Sequence, residues 1–91
     1  MSLGKYGALA KKYLKEYKPI KYNELIINGT IMDYLYDVET HLKGYADLIE
    51  LELKEQYPAP NEKENFIEQV KYINMIQGLV DEYVKEEIKS I

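Results

Sequence analysis

A long apolar stripe uninterrupted by proline is the feature that most constrains this fold. Between Thr30 and Tyr57 one face carries apolar side chains every three or four positions, at Ile31, Leu35, Val38, Leu42, Tyr45, Ile49 and Leu53. That period predicts an α-helix of about 28 residues, roughly 40 Å long. Thr30 is a good N-cap, Asp33 is placed for a capping box, and Pro58 ends the helix. Every other element has to pack along this helix.

A second long helix follows a break that contains two prolines. Pro58-Ala59-Pro60 is incompatible with a helix, and Asn61 followed by Glu64 predicts the N-cap of a helix that runs to about Ser90. This helix carries two apolar stripes. The first consists of Phe66, Val70, Ile73, Val80, Val84 and Ile88, and the second of Tyr72, Ile76, Leu79 and Tyr83.

The two stripes together are too wide for one neighbouring helix. We expect the first stripe to pack against the 30–57 helix in an antiparallel hairpin. The second stripe must then meet either the N-terminal helices or another copy of the chain. Gly44 and Gly78 interrupt the long helices at a cost of about 1 kcal/mol each, and we expect them to allow close helix approach.

Two shorter helices precede the hairpin. Tyr6, Ala10, Tyr13 and Tyr17 recur at helical spacing among lysines, which predicts a basic amphipathic helix that ends before Pro19. Pro19 suits the first turn of a second helix, and Asn28-Gly29 supplies a left-handed stop.

The sequence therefore predicts an all-α fold: two short N-terminal helices followed by a long antiparallel helical hairpin. We expect a single helical domain over residues 1–91, with basic short helices in 1–29 and the hairpin helices at 30–57 and 61–90. The chain contains no Cys, which excludes disulfides and thiolate zinc sites. It also has no long apolar run and no signal peptide, so we expect a cytoplasmic protein with no membrane contact.

Charge is distributed unevenly along the chain. Residues 1–22 hold six Lys against one Glu, a net charge of +5, whereas residues 23–91 hold six Lys against fifteen acids, a net charge of −9. All twelve basic residues are Lys, so the chain lacks the bidentate guanidinium group that favours phosphate and base recognition.

The residues needed for catalysis or metal binding are missing from the pattern. His41 is the only histidine, with Asp37 on the same helical face. One histidine cannot supply the ligand pairs of a di-iron bundle, and no combination of nucleophile and base can be assembled. The glutamates at Glu50, Glu52, Glu55, Glu82, Glu86 and Glu87 are typical of solvated helix faces. We therefore predict a protein that is not an enzyme and that has no cofactor and no metal.

Nucleic-acid binding is the alternative function that the N-terminal region raises. Its basic helix interleaves tyrosines with Lys5, Lys11, Lys12, Lys15 and Lys18. The segment from Pro19 to Val38 also has the length and central glycine of a helix-turn-helix. Against this, the would-be recognition helix presents Asp33, Asp37 and Glu39, which DNA phosphates would repel. DNA binding is therefore possible but disfavoured.

Self-association is the function that the apolar pattern favours. The second stripe of the last helix, Tyr72, Ile76, Leu79 and Tyr83, predicts the surface of a homodimer. Asn74 lies beside this stripe. Two interpretations of Asn74 stay open: a buried Asn that fixes helix register or oligomeric state, and a residue at the core border that faces water.

Two segments together resemble the TnpV-like proteins, a family of small proteins encoded on transposons and integrative elements. The first is Gly4-Lys5-Tyr6-Gly7 with Tyr13-Leu14-Lys15-Glu16-Tyr17-Lys18-Pro19, continuing through Tyr22, Leu25, Gly29, Tyr34-Leu35 and Val38-Glu39. The second is Ile73-Asn74-Met75-Ile76, followed by Asp81-Glu82, Val84 and Glu86-Glu87-Ile88.

The resemblance implies a mobile-element setting and no particular chemistry. Family members tend to carry a Trp near the position of Gln69 and a second Asn where Met75 stands, and many have an N-terminal extension. We expect an accessory protein of a mobile element that acts through protein contacts, with itself or with another element-encoded protein. The alternative is a DNA-binding accessory or regulatory protein of the transposon.

Overall fold

The computed structural model describes residues 3–61 and 65–91 and contains four α-helices in these ranges. They are α1 (Lys5–Tyr17), α2 (Pro19–Ile27), α3 (Ile31–Gln56) and α4 (Phe66–Ile88). No strand occurs in the described ranges. The predicted all-α helical bundle is confirmed.

Helix α3 is the centre of the bundle, with α1, α2 and α4 all packed against it. Its buried face consists of Leu35, Val38, Leu42, Ala46, Ile49 and Leu53. Five of the seven stripe residues predicted for this helix are buried, and Ile31 and Tyr45 are half-buried against the same core. Ala46 is buried as well, although the sequence pattern gave it no role.

Helices α3 and α4 run antiparallel. Near the turn, the Tyr72 hydroxyl donates a hydrogen bond to the Tyr57 carbonyl at 2.7 Å. At the other end, His41 Nε2 lies 3.5 Å from Glu87 Oε1. The molecule is elongated, with extents of 56 × 25 × 19 Å, because the two long helices set its length.

Helix α1 lies beside the last part of α4 and runs parallel to it. Lys5 Nζ donates a hydrogen bond to Asp81 Oδ1 at 2.8 Å, and Lys18 Nζ donates one to the Ile91 carbonyl at 2.6 Å. The hydrogen bond to Asp81 raises the pKa of the Lys5 ammonium group above its ordinary value of 10.5. On the alkaline side, the stability from this exposed pair is present up to pH 10.5 and is lost as the pH rises through the raised pKa of Lys5.

The connection from α2 to α3 is a glycine-stopped turn, as predicted. Gly29 has a φ of +72°, the Gly29 N–H donates to the Ile26 carbonyl, and the Thr30 N–H donates to the Leu25 carbonyl. These two bonds form a Schellman motif. The predicted capping box is wrong. The Thr30 N–H, which would have bonded the Asp33 carboxylate, donates to the Leu25 carbonyl instead, and the Thr30 side chain makes no capping bond.

The start of α4 also differs from the prediction. The N-cap is Asn65, whose side chain accepts a hydrogen bond from the Ile67 N–H at 3.1 Å, and the helix begins at Phe66 instead of Asn61. The sequence contains the Asn-x-x-Glu signature twice, at Asn61 and at Asn65, and the structure uses the second. Glu64, the predicted partner of Asn61, lies outside the described residues.

The expectation that Gly44 and Gly78 permit close helix approach is wrong. A Cβ atom added at either position would meet no atom within 4 Å. Both glycines lie on exposed helix surface. They therefore lower the stability of their helices, and no close contact between helices requires them.

We predict that Leu42→Ala destabilises the protein by about 2 to 5 kcal/mol, since Leu42 is fully buried and its truncation leaves a cavity between α3 and its neighbours. Urea unfolding followed by circular dichroism measures the change. Leu48→Ala on the exposed side of the same helix is the matched control and should shift stability by less than about 0.5 kcal/mol. Equal effects would contradict the assigned core.

Alanine should have opposite effects at two glycines. At Gly29 the left-handed backbone is strained for alanine, so Gly29→Ala should destabilise by about 1 kcal/mol. At Gly44, in open helical surface, alanine should stabilise by about 0.5 to 1 kcal/mol. Thermal unfolding of both variants checks this, and a loss of stability at Gly44 would restore the close-approach interpretation.

Candidate protein-contact face

Part of the apolar stripe on α4 is exposed at the turn end of the hairpin. Phe66, Val70 and Ile73 were predicted to pack against the long central helix, yet their side chains are 78%, 38% and 56% exposed. The residues of the same stripe nearer the C-terminus, Val80, Val84 and Ile88, are buried. The stripe is thus split into a core half and an open half.

The position of α1 explains the split. The stripe of Phe66, Val70 and Ile73 continues along α4 at helical spacing through Gln77, Val84 and Ile88, with Asp81 and Lys85 along its edge. Of these, Asp81 bonds Lys5 of α1, and Lys85 and Ile88 line a groove with α1. The open half therefore lies in line with the position that α1 occupies, just beyond the start of that helix.

The open half carries no charged side chain. We define the tip face as Phe66, Val70, Ile73 and Gln77, flanked by Ile67 and Asn74. Between Asn65 and Val80 the only charged residues are Glu68 and Lys71, and helical spacing places them on the opposite side of α4. Their side chains lie 3.9 Å apart, within range of an ion pair. Depletion of charge around exposed aromatic and aliphatic groups is typical of the core of a protein interface.

The four residues predicted for self-association occupy different positions. Ile76 is 2% exposed and belongs to the core of the single chain. Tyr72 and Leu79 are half-buried against that core, and Tyr83 is exposed. Self-association stays a prediction, but Ile76 has no surface left to offer to a partner. The signal that could have identified the tip face is the absence of charged residues from positions 72 to 80, together with the spacing that places Glu68 and Lys71 on the opposite side of the helix.

Side chains of α4 hold the turn in place beside the tip face. The Tyr72 hydroxyl bonds the carbonyl of Tyr57, the last residue before Pro58. The Gln69 amide donates to the carbonyls of Pro60 and Asn61 at 3.2 and 3.3 Å. These hydrogen bonds fix the start of α4, which carries the tip face, to the turn.

The five lysines proposed for nucleic-acid contact are only partly free. Lys5 and Lys18 are bonded to Asp81 and the Ile91 carbonyl, and Lys11 is half-buried. Lys12 and Lys15 are exposed, with the Lys15 ammonium group 5.6 Å from the centroid of a tyrosine ring.

The helix-turn-helix-like segment has the predicted helices but an unsuitable second helix. Leu35 and Val38 of α3 are buried in the bundle core. The exposed side chains at the start of α3 include the carboxylates of Asp33 and Asp37, which would face DNA phosphates.

His41 is exposed and approaches one carboxylate, that of Glu87. Within residues 3–61 and 65–91, no three His, Cys, Asp or Glu side chains come together in a way that could hold a metal ion. A groove of about 620 Å³ lies between α1 and α4 and is lined by Leu9, Lys12, Tyr13, Glu16, Tyr17, Lys85, Ile88 and Lys89. Among the described helices, none is long and apolar enough to cross a membrane.

Glu39 links the start of α1 to α3. Its Oε1 accepts a hydrogen bond from the Gly4 N–H at 2.7 Å, so a carboxylate sits at the positive end of the α1 dipole. A Cβ atom on Gly7, which is buried, would lie 2.7 Å from Glu39 Oε2. The glycines of the Gly4-Lys5-Tyr6-Gly7 segment therefore make room for this carboxylate.

These features define an all-helical hairpin protein with an uncharged, exposed apolar face at the turn end of its last helix. The sequence matches the profile of the family described as transposon-encoded protein TnpV over residues 1–88 of 91, and the chain belongs to that family. No match was found among curated proteins or among solved structures.

We predict that Glu39→Ala destabilises the protein by about 1 kcal/mol, because the first turn of α1 loses its carboxylate. Asp37→Ala on the same helix is the control and should change stability by less than about 0.5 kcal/mol. Urea unfolding at low and high salt measures both, and the Glu39 effect should shrink with salt. Equal losses in the two variants would argue against this role.

Proposed function

We propose that this protein is a non-enzymatic accessory protein of a mobile genetic element and that it acts through protein contacts, first of all by forming a homodimer. The tip face carries the proposal: Phe66, Val70 and Ile73 are exposed side by side on one helix with no charge among them. Burying such a strip against a partner is favourable by about 25 cal/mol per Å² of apolar area.

Two other groups of exposed apolar side chains, one on α2 and one on α3, are weaker candidate surfaces. Ile20 and Ile27 lie on α2, a helix of nine residues with Lys21 and Glu24 between them. On α3, Leu48 and Leu51 are exposed among Asp47, Glu50, Glu52 and Glu55. Charges around these leucines and isoleucines would have to lose water on association.

The absence of enzymatic activity is part of the same proposal. The sequence supplies no nucleophile with an adjacent base, and the single histidine is exposed beside one carboxylate. An acid or base that is exposed and isolated in this way has no partner to tune it for catalysis.

We expect Val70→Glu to convert a dimer to a monomer in sedimentation velocity experiments, because a carboxylate in the middle of the tip face would be buried without a partner. The monomer should stay folded, since Val70 lies at the surface of the single chain with 38% of the residue exposed, and circular dichroism checks this. Leu51→Glu and Ile27→Glu are matched controls on α3 and α2 and should leave the dimer intact. A wild-type monomer at all accessible concentrations would overturn the proposal.

The alternative is DNA binding through α1, which the exposed Lys12 and Lys15 beside Tyr13 support. A titration of duplex DNA over a range of salt concentrations tests it. A monomer that binds duplex with a steep negative salt slope would favour this alternative. A dimer whose behaviour does not change with DNA would favour the protein-contact function.

A further inference from the structure

The hairpin leaves an unfilled helix position at its tip. Beside residues 81–88 of α4, α1 and α3 both pack, and the stripe residues Val84 and Ile88 are buried. Along residues 66–77, α4 packs against α3 in the hairpin, and the stripe side chains Phe66, Val70 and Ile73 are exposed. The open stretch covers three turns, roughly 18 Å at 1.5 Å per residue. Its length and apolar character suit another helix.

We propose that this position is filled by the α4 helix of a second copy, packed antiparallel, so that two hairpin tips form a four-helix bundle around a two-fold axis near Val70. The inference rests on the proposed homodimer and adds its geometry. In this arrangement Val70 lies beside the partner's Val70, and Phe66 lies beside the partner's Ile73.

The charge pattern favours a second copy as the occupant. A two-fold interface sets the same patch of both copies against itself, so any patch with a net charge repels its own image. The chain as a whole has a net charge of −4, and its outer α3 face is acidic. The tip face is uncharged and can meet its own image without opposed like charges.

The position of α1 favours the antiparallel direction. Because α1 stands in line with the tip face and begins opposite Asp81, a parallel partner would bring the two α1 helices against each other. Those helices carry most of the N-terminal lysines, so they would repel each other. An antiparallel partner places its tip in the open stretch and keeps the two α1 helices at opposite ends of the dimer.

Single cysteines introduced into this cysteine-free chain test the geometry. A disulfide requires Cβ atoms about 3.5 to 4.5 Å apart. Val70→Cys, next to the axis, should give a covalent dimer under mild oxidation. Phe66→Cys alone should not, because the two copies of residue 66 would be roughly 12 Å apart along the direction of the paired helices, at 1.5 Å per residue. A mixture of Phe66→Cys and Ile73→Cys chains should form covalent heterodimers.

Leu51→Cys on the exposed side of α3 is the control for random collision and should stay largely monomeric on denaturing gels. Efficient disulfides in both Phe66→Cys and Ile73→Cys alone would indicate a parallel pair and overturn the inference. A dimer seen by sedimentation in which none of the tip-face cysteines react would also overturn it, while leaving the homodimer itself standing. A chain that sediments as a monomer would overturn both.

Discussion

The burial of α3 is the constraint on which the rest of the structure depends. Its apolar face runs from Leu35 to Leu53 without interruption, but the helices that cover it change along its length. The first half packs in a three-helix arrangement with α1 and α4, whereas α4 provides the cover for the second half. Because α4 continues past the start of α1, its own apolar stripe is covered at one end and open at the other. The tip face is a direct result of this difference in helix lengths.

Much of the fold could be predicted from local sequence signals. The prolines at Pro19 and Pro58, the Asn28-Gly29 stop and the period of the α3 stripe act locally, and each gave the correct element or boundary. The start of α4 could not be placed, because the capping signature occurs twice within eight residues. The side of α4 that faces α3 could not be read either: both stripes have helical period, and the choice between them depends on how far α1 reaches.

The candidate site shows the same limit. The two apolar stripes of the last helix indicated an interface, but the residues first assigned to it include Ile76, which the core buries. Two parts of the first segment that resembles the TnpV family meet in space, since Glu39 accepts the Gly4 N–H and lies against Gly7. That contact fixes the start of α1 and so determines where the open stretch of α4 begins. Residues of this segment thus act on the proposed function through the fold, whereas Ile73 of the second segment lies on the tip face itself.

Hydrogen–deuterium exchange of the unmodified protein over a range of concentrations tests the central claim most directly, namely that a partner covers the tip face. Backbone amides of residues 66–77 should exchange more slowly as concentration rises through the dimerisation range, because fraying of this helix end requires the partner to leave. Amides of α2 and of the first turns of α3 should show no such dependence. Concentration-dependent protection confined to α1 or α2, with residues 66–77 unchanged, would contradict the account.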